Sequence, residues 1–326
     1  MLVVASEESQ IRPSKCIVRE FLSQICLKFF SALPFEAKRG SLIKTLLTPQ
    51  QVYKPSLNLS VIIPVYNELH TLPTVLARVI QTLPDVPKEL VVVDDGSTDG
   101  TREWLEKIFG DTDSQAAYLC LTGEDQVVVM QGNEYEQPES LVDVSPLQSS
   151  PVVVKVFLHS RNRGKGAALR TGFQGSSGDV LVIQDADLEY DPQDWKRMWR
   201  LIAEGWADVV YGSRFYGEPH RVLYFHHLLG NKVISNLINL LCDTTLTDIE
   251  VCYKMFRREV LKGLKLTCND FGFEVEFTVK VTKPRRWRIY EVGISYYGRT
   301  YREGKKINWK DGVKALWYIL KFWLKN

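Results

Sequence analysis

Four short runs of β-branched and other apolar residues, each ending at a polar loop, constrain the fold of this chain more than anything else in it. They are Leu59–Ile63, Glu89–Val93, Val152–Phe157 and Val180–Ile183. Short apolar runs bounded by turn residues read as strands buried on both faces, as in a parallel sheet. Helical spacing follows the first three. Leu72, Val75, Leu76, Val79 and Ile80 come after the first, Thr101 to Phe109 after the second, and Ala167–Phe173 after the third. A repeated strand–loop–helix unit predicts an α/β fold with a mostly parallel central sheet, whose ligand lies off the carboxyl ends of the strands.

The strand-end loops carry the chemistry. Asp185 and Asp187 stand one residue apart just after the fourth run, with Glu189 two residues on. Oxygen-only ligands suit Mg²⁺ or Mn²⁺, which protein carboxylates usually hold together with substrate phosphates. An Asp-x-Asp by itself also fits a turn with capping aspartates, so its weight comes from the neighbouring loops. The glycines around Lys165, in Asn162-Arg-Gly-Lys-Gly166, allow close backbone approach to a phosphate, and the lysine adds charge. No Gly-x4-Gly-Lys-Ser/Thr occurs, and no Gly-x-Gly-x-x-Gly follows a strand, which excludes the commonest nucleotide fingerprints.

Pro64-Val-Tyr-Asn-Glu68, Asp94-Asp-Gly-Ser-Thr-Asp-Gly100, Asn162–Gly166 and Asp185-Ala-Asp187, in that order, closely resemble the motifs of the family 2 glycosyltransferases with a GT-A fold. Within that family the chain is most similar to the dolichol- and polyprenyl-phosphate hexosyltransferases, over about residues 58–315. The resemblance implies a Rossmann-like nucleotide-sugar-binding fold with an interfacial C-terminal helix. It implies that Pro64, Tyr66, Glu68, Asp94 and Asp95 hold the base and ribose, with Lys165 and Asp185 also on the nucleotide sugar. Asp185, Asp187 and Glu189 would hold the cation, which bridges the diphosphate as a Lewis acid. Gly212-Ser-Arg214 resembles an element whose arginine faces phosphate. Asp248, in Leu246-Thr-Asp248, would lie beside the attacking acceptor: a general base for an alcohol, an orienting group for a phosphate. Phe271-Gly-Phe-Glu-Val-Glu276 resembles a segment with carboxylates near the sugar, Glu274 reading as a site residue and Glu276 as structural. A strand would put both on one side, a helix on different faces. Gly298–Ile307 resembles a mobile basic loop, with Arg299, Arg302, Lys305 and Lys306 meeting phosphates.

Together these imply an inverting transfer of mannose or glucose from GDP-mannose or UDP-glucose to a polyprenyl phosphate. Two alternatives stay open: the same enzyme class with a soluble acceptor, and a nucleotide-sugar-binding protein without turnover.

Composition sets the rest. The 326 residues, 45% hydrophobic and 25% charged, can bury one large core or two small ones. Six cysteines show no metal-ligand spacing, and no secretory pattern opens the chain, so reduced thiols in the cytoplasm are expected. No run of eighteen apolar residues predicts a membrane span. The net charge of +2 hides two opposed regions. Gly110 to Ser150 holds eight acidic residues and no lysine or arginine; Lys280 to Asn326 holds thirteen basic against three acidic. Residues 110–150 read as an insertion, mostly disordered, in which Gln126–Met130 adds a hairpin strand. The organisation expected is an N-terminal extension 1–57, a catalytic domain 58–300, and a basic loop with an amphipathic helix over 301–326. Trp309–Lys325 places Val313, Leu316, Trp317, Leu320 and Trp323 at helical spacing, with Lys314, Lys321 and Lys325 opposite, the pattern of an in-plane membrane helix. Leu223–Leu241 and Ile17–Phe35 are further candidates. The expected partners are a nucleotide sugar, a lipid phosphate and the cytoplasmic face of a membrane, with no nucleic acid.

Overall fold

The apolar runs form the strands expected of them, and the sheet grows beyond them at both edges. Residues 57–110, 117–121, 127–131, 152–222, 224–300, 303 and 309–324 are described by the structure, a computed structural model. In chain order its elements are β1 (Leu59–Val65), α1 (Leu72–Gln81), β2 (Lys88–Asp94), α2 (Thr101–Phe109), β3 (Ala117–Leu121), β4 (Val127–Gln131), β5 (Val152–Leu158), α3 (Lys165–Gly175), β6 (Val180–Ile183), α4 (Trp195–Ala203), β7 (Val209–Ser213), α5 (Phe225–Cys242), β8 (Lys254–Arg257), α6 (Phe273–Thr282), β9 (Ile289–Gly293) and α7 (Trp309–Leu324). They build a sheet in the order β4-β3-β5-β2-β1-β6-β8-β7-β9. Only β3 and β8 run against the other strands described. The mostly parallel α/β sheet with flanking helices is therefore the one the sequence predicts.

Strands β1, β2 and β6 are buried almost throughout, because both sheet faces are covered and every side chain meets apolar neighbours. Pro64 does not end β1. Its missing N–H falls on the β6 side, where the ladder already stops at Ile62 opposite Ile183, while the β2 side continues to Val65 opposite Asp94. From β1 the chain steps outward to β2 and β5, then returns to place β6 on the opposite flank of β1. That reversal opens a crevice between the ends of β1 and β6, the general ligand position in such sheets.

Several elements were not legible as such. Strands β8, β9 and β3 carry no strong periodic signal of their own, whereas helix α4 does, through Trp195, Met198, Trp199 and Ile202 at helical spacing. Residues 273–282 are helical, so Glu274 and Glu276 do point to different faces. The stretch 110–150 contributes the hairpin β3–β4 to the sheet edge through antiparallel pairing of β3 with β5. The rest of it, like Ile17–Phe35, lies outside the described residues. Helix α7 turns Ala315, Ile319 and Phe322 inward, leaving Trp317 58% exposed and Leu320 51%. The expected separation of apolar and lysine faces is corrected here: Lys321 lies over the Trp317 ring, 4.8 Å from its centroid, on the same exposed side.

The amino ends of the parallel strands are tied by one buried carboxylate. Glu89 accepts from Ser60 Oγ at 2.6 Å, Ser177 Oγ at 2.9 Å and Gly178 N at 3.1 Å, and pairs with Lys155 at 2.7 Å. Burial opposes its ionisation, but Lys155 and the Ser177 and Ser60 donors outweigh that and hold it down at about 2. Its folded value lies below the unfolded one, so the stability it contributes is present above pH 4.5 and is lost as pH falls toward about 2. Glu89→Gln is expected to flatten the fall of the thermal midpoint across that window. Glu89→Ala should cost about 2–3 kcal/mol near neutral pH by leaving the Ser60 and Ser177 donors and the Lys155 ammonium without their acceptor.

Candidate active site

Four loops leave the carboxyl ends of β1, β2, β5 and β6, and side chains lace each to the next. Asn67 takes a left-handed backbone with φ of 55°, donating its N–H to Ser97 Oγ at 2.9 Å and accepting from Thr98 N at 2.8 Å. Asp95 joins the second loop to the third. It accepts from Arg163 N at 3.0 Å and Gly164 N at 2.7 Å, and His159 Nδ1 lies 2.7 Å away. Lys165 Nζ joins the third to the fourth through Asp185, at 2.8 Å. Thr71 Oγ1 closes the ring by donating to Glu68 Oε2 and to Ala186 O, both at 2.9 Å. Pro64, near the end of β1, and Tyr66, just beyond it, are half-buried at the carboxyl end of that strand.

Two expectations change at once. Asp94 is enclosed, with its carboxylate committed to Arg102 and to the N–H groups of Gly96 and Ser97; Asp95 is equally committed. Both shape the rim, and neither turns a free oxygen toward a base. The glycines beside Lys165 also do something else. A Cβ at Gly164 would collide with Asn269 O, and one at Gly166 with Cys268 O. They admit the 268–269 backbone where a phosphate was expected.

Next to the crevice lie Asp185, Asp187 and Glu189. Arg299 reaches into them: its Nη2 donates to Asp187 Oδ2 at 2.5 Å and to Glu68 Oε1 at 3.3 Å, and its N and Nε to Glu189 Oε1 at 2.8 and 3.3 Å. Tyr296 OH donates to Glu189 Oε2 at 2.9 Å. Glu189 thus docks the 296–299 segment in this structure. Among the described residues no three His, Cys, Asp or Glu side chains converge as a cage. Asp185 and Asp187 still fit a hard divalent cation. Both offer oxygen, and a guanidinium stands in as the local cation. Burial first, then the charges of Asp185 and Glu189, push Asp187 up to about 7. Two carboxylates with substrate phosphates suffice for Mg²⁺ or Mn²⁺.

Beyond Asp185 two buried ion pairs form the far wall. Arg214 grips Asp248 through Nε and Nη2, both at 2.7 Å, and through its N–H at 3.1 Å. Asn231 Nδ2 adds a fourth donor at 2.9 Å, and Glu291 holds the Thr247 and Asp248 N–H groups. Asp248 is 0% exposed. Burial works to raise its pKa, yet Arg214 prevails and leaves it below the usual carboxylate value. In the free protein this carboxylate positions Arg214, which in turn lies over the Tyr296 ring at 5.2 Å. The second pair is Lys254–Glu274, both buried, with Lys165 Nζ 3.6 Å from Glu274 Oε1. Glu276 instead binds the N–H groups of Thr267 and Cys268 and the ammonium of Lys280, a structural part.

Lys165, Asp185, Arg214, Asp248, Asp187, Glu68 and Arg299 are therefore gathered around one crevice. Arg302, Lys305 and Lys306 lie outside the described residues. Sequence reading missed Asn231, Glu291 and Tyr296, whereas Lys254 falls in Cys252-Tyr-Lys-Met-Phe256, which resembles a family segment.

A switch-point crevice of this composition on a mostly parallel sheet defines the GT-A fold. Glucosyl-3-phosphoglycerate synthase from Mycobacterium tuberculosis, solved with Mn²⁺, UDP and phosphoglyceric acid, shares it with a TM-score of 0.54 and 17% identity, over 82% of this chain and 78% of that one. The chain belongs to glycosyl transferase family 2, whose model matches residues 60–124 and 123–264. A dolichol-phosphate mannosyltransferase of Pyrococcus furiosus is 26% identical over 77% of this chain, which spans 61% of that relative's length. Polyprenol monophosphomannose synthase of Mycolicibacterium smegmatis is 28% identical over 74% of this chain and 76% of its own. Undecaprenyl-phosphate mannosyltransferase of Micrococcus luteus is 29% identical over 75% and 85%.

Asp248→Asn tests the revised role. Leaving Arg214 with a neutral partner is expected to destabilise the fold by about 3 kcal/mol, read as a lower chemical-denaturation midpoint. A residue acting only as a base would leave that midpoint in place.

Proposed function

We propose that this chain is an inverting hexosyltransferase that moves mannose or glucose from a nucleotide sugar to a polyprenyl phosphate at the cytoplasmic face of a membrane. The observation that carries the reading is the crevice between β1 and β6, where Asp185 and Asp187 stand among the cations Lys165, Arg214 and Arg299. The relatives named for lipid-phosphate mannosyl transfer support the acceptor class. The catalytic unit in this reading is 58–300, with 301–326 serving contact and closure.

Pro64, Tyr66 and Glu68 would line the base and ribose side. Asp185 and Asp187 would hold Mg²⁺ or Mn²⁺, which when bound supplies positive charge to the leaving diphosphate. Lys165 and Arg299 are spent on carboxylates in the free protein. An incoming diphosphate would compete for both, so its binding trades internal ion pairs for charged contacts to substrate. Arg214, held rigid by Asp248, would face the acceptor phosphate. A phosphate oxygen is ionised near neutral pH, so no base is required. The oxygen attacks the anomeric carbon, and the bond to the nucleotide diphosphate breaks on the opposite face.

The membrane side of the reading rests on α5 and α7. They pack together, with Trp323 Nε1 donating to Leu241 O at 3.0 Å. Each keeps an outward apolar stripe: Phe225, Leu229, Val233 and Leu240 on α5, and Trp317, Leu320 and Leu324 on α7. Among the described residues no helix is long and apolar enough to cross a membrane. Contact in the plane of the interface would cover both stripes.

Purified chain with Mn²⁺, radiolabelled GDP-mannose or UDP-glucose and a polyprenyl phosphate should yield labelled lipid. Asp187→Ala should lower that yield at least about 100-fold while leaving the thermal midpoint near wild type. Transfer to soluble saccharides alone would favour the second acceptor class. In co-sedimentation with anionic vesicles, Trp317→Ser with Leu320→Ser should release most of the bound protein; unchanged pelleting would remove α7 from the contact.

A further inference from the structure

A phenol joins helix α7 to the turn on which Lys165 stands. Ala315, Ile319 and Phe322 of that helix are buried, and Trp323 Nε1 ties its far end to Leu241 O of α5. Tyr318 leads elsewhere, its OH donating to Asp270 Oδ2 at 3.0 Å. Any acceptor would satisfy a half-buried tyrosine hydroxyl. Asp270 does more with the bond. Its other oxygen accepts from Gly272 N at 3.0 Å and from Cys268 Sγ at 3.2 Å, which closes residues 268–272 into a turn just before α6. A Cβ at Gly272 would collide with the Tyr318 ring, so the helix lies directly against this turn.

The start of α3 rests on the other side of the same turn. Asn269 O accepts from Ala167 N at 3.2 Å, and Arg170 donates to Cys268 O and to Asn269 Oδ1. Gly164 and Gly166, which flank the lysine, admit those 268–269 carbonyls. At the tip of the side chain, Lys165 Nζ lies 2.8 Å from Asp185 Oδ1 and 3.6 Å from Glu274 Oε1. Glu274 belongs to the first turn of α6, and Phe273 N ahead of it donates to Asp270 O at 3.2 Å. The turn therefore sets the backbone of Lys165 and one of the two carboxylates around its ammonium. A four-carbon stem has no stiffness of its own, so its charge keeps its place only as far as those supports keep theirs.

We propose that Asp270 and Tyr318 are positioning residues for Lys165, through which α7 contributes to binding the diphosphate of the sugar nucleotide. The inference rests on the nucleotide-sugar reading above, in which Lys165 meets that diphosphate, and adds a support for it on the C-terminal helix. A bond that served only to fasten α7 would, when lost, loosen the helix and leave Lys165 as it was.

The test is calorimetric titration of the full chain, with Mn²⁺, by GDP and UDP, taking the nucleotide that wild type binds more tightly. It compares wild type, Tyr318→Phe, Asp270→Asn, Lys165→Ala and the double variant of Lys165→Ala with Tyr318→Phe. Each is also scored for its chemical-denaturation midpoint and for amide exchange across residues 164–169. Tyr318→Phe keeps the packing of the ring and should weaken the diphosphate about fivefold, with faster exchange at 164–169. Asp270→Asn should weaken it as well. Lys165→Ala should weaken it more, and adding Tyr318→Phe to it should cost nothing further, because the two act in series. An equal loss from Tyr318→Phe in both backgrounds would overturn the proposal. So would a lowered midpoint with affinity and exchange at 164–169 unchanged, which would leave Tyr318 a fastening for α7. Wild type that binds neither nucleotide, or Lys165→Ala that binds as tightly as wild type, would overturn the reading beneath it.

Discussion

Backbone N–H groups at the carboxyl ends of parallel strands have to be satisfied, and in this protein carboxylates from neighbouring loops satisfy them. Asp94 closes its own turn, Asp95 holds the entrance to α3, and Asp99 accepts from Thr101 N at the start of α2 and from Leu69 N at 3.2 Å. Four loops that would otherwise move separately become one rim. The crevice between β1 and β6 has a fixed shape because those bonds are short-range and directional, and the rest of the site is built on that fixed rim.

Onto this rim the chain places more charge than an empty crevice tolerates, and it pairs nearly all of it. Lys165 with Asp185, Arg299 with Asp187, Glu68 and Glu189, Arg214 with Asp248 and Lys254 with Glu274 are four separate solutions to one desolvation problem. They differ in permanence. Asp248 and Lys254 are fully enclosed, so their pairs hold the wall as architecture. The carboxylates that Lys165 and Arg299 hold keep part of their surface in water, unlike Asp248, so these pairs can open to a charged ligand. The distinction follows burial more than residue type: arginine is permanent at 214 and exchangeable at 299.

The same contrast explains where sequence reading went astray. Asp94, Asp95 and Asp248 carry the right residue type in the right motif, yet each is turned inward. A carboxylate at a strand end looks the same in sequence whether it meets a ligand or four protein donors. Gly164 and Gly166 were ambiguous in the same way, since a glycine next to a lysine fits both phosphate approach and close packing. Glu291 and Asn231 could not be found at all. Each sits in an unremarkable stretch, and only the folding of β9 and α5 against the 246–248 loop makes them partners of the site.

The four apolar strands of a mostly parallel sheet, the helices after the first three, the end of the sheet at which the ligand lies and the family were legible in the sequence alone. They rest on local properties: apolar runs of strand length, helical periodicity, and ordered motifs at the loops between them. What the tertiary structure decided was which polar groups are spent and which remain available. That depends on contacts between residues up to 231 positions apart, as between Glu68 and Arg299. A charge's surroundings, in dielectric and in donors, are set by the whole packed chain and are not written beside the residue that bears it.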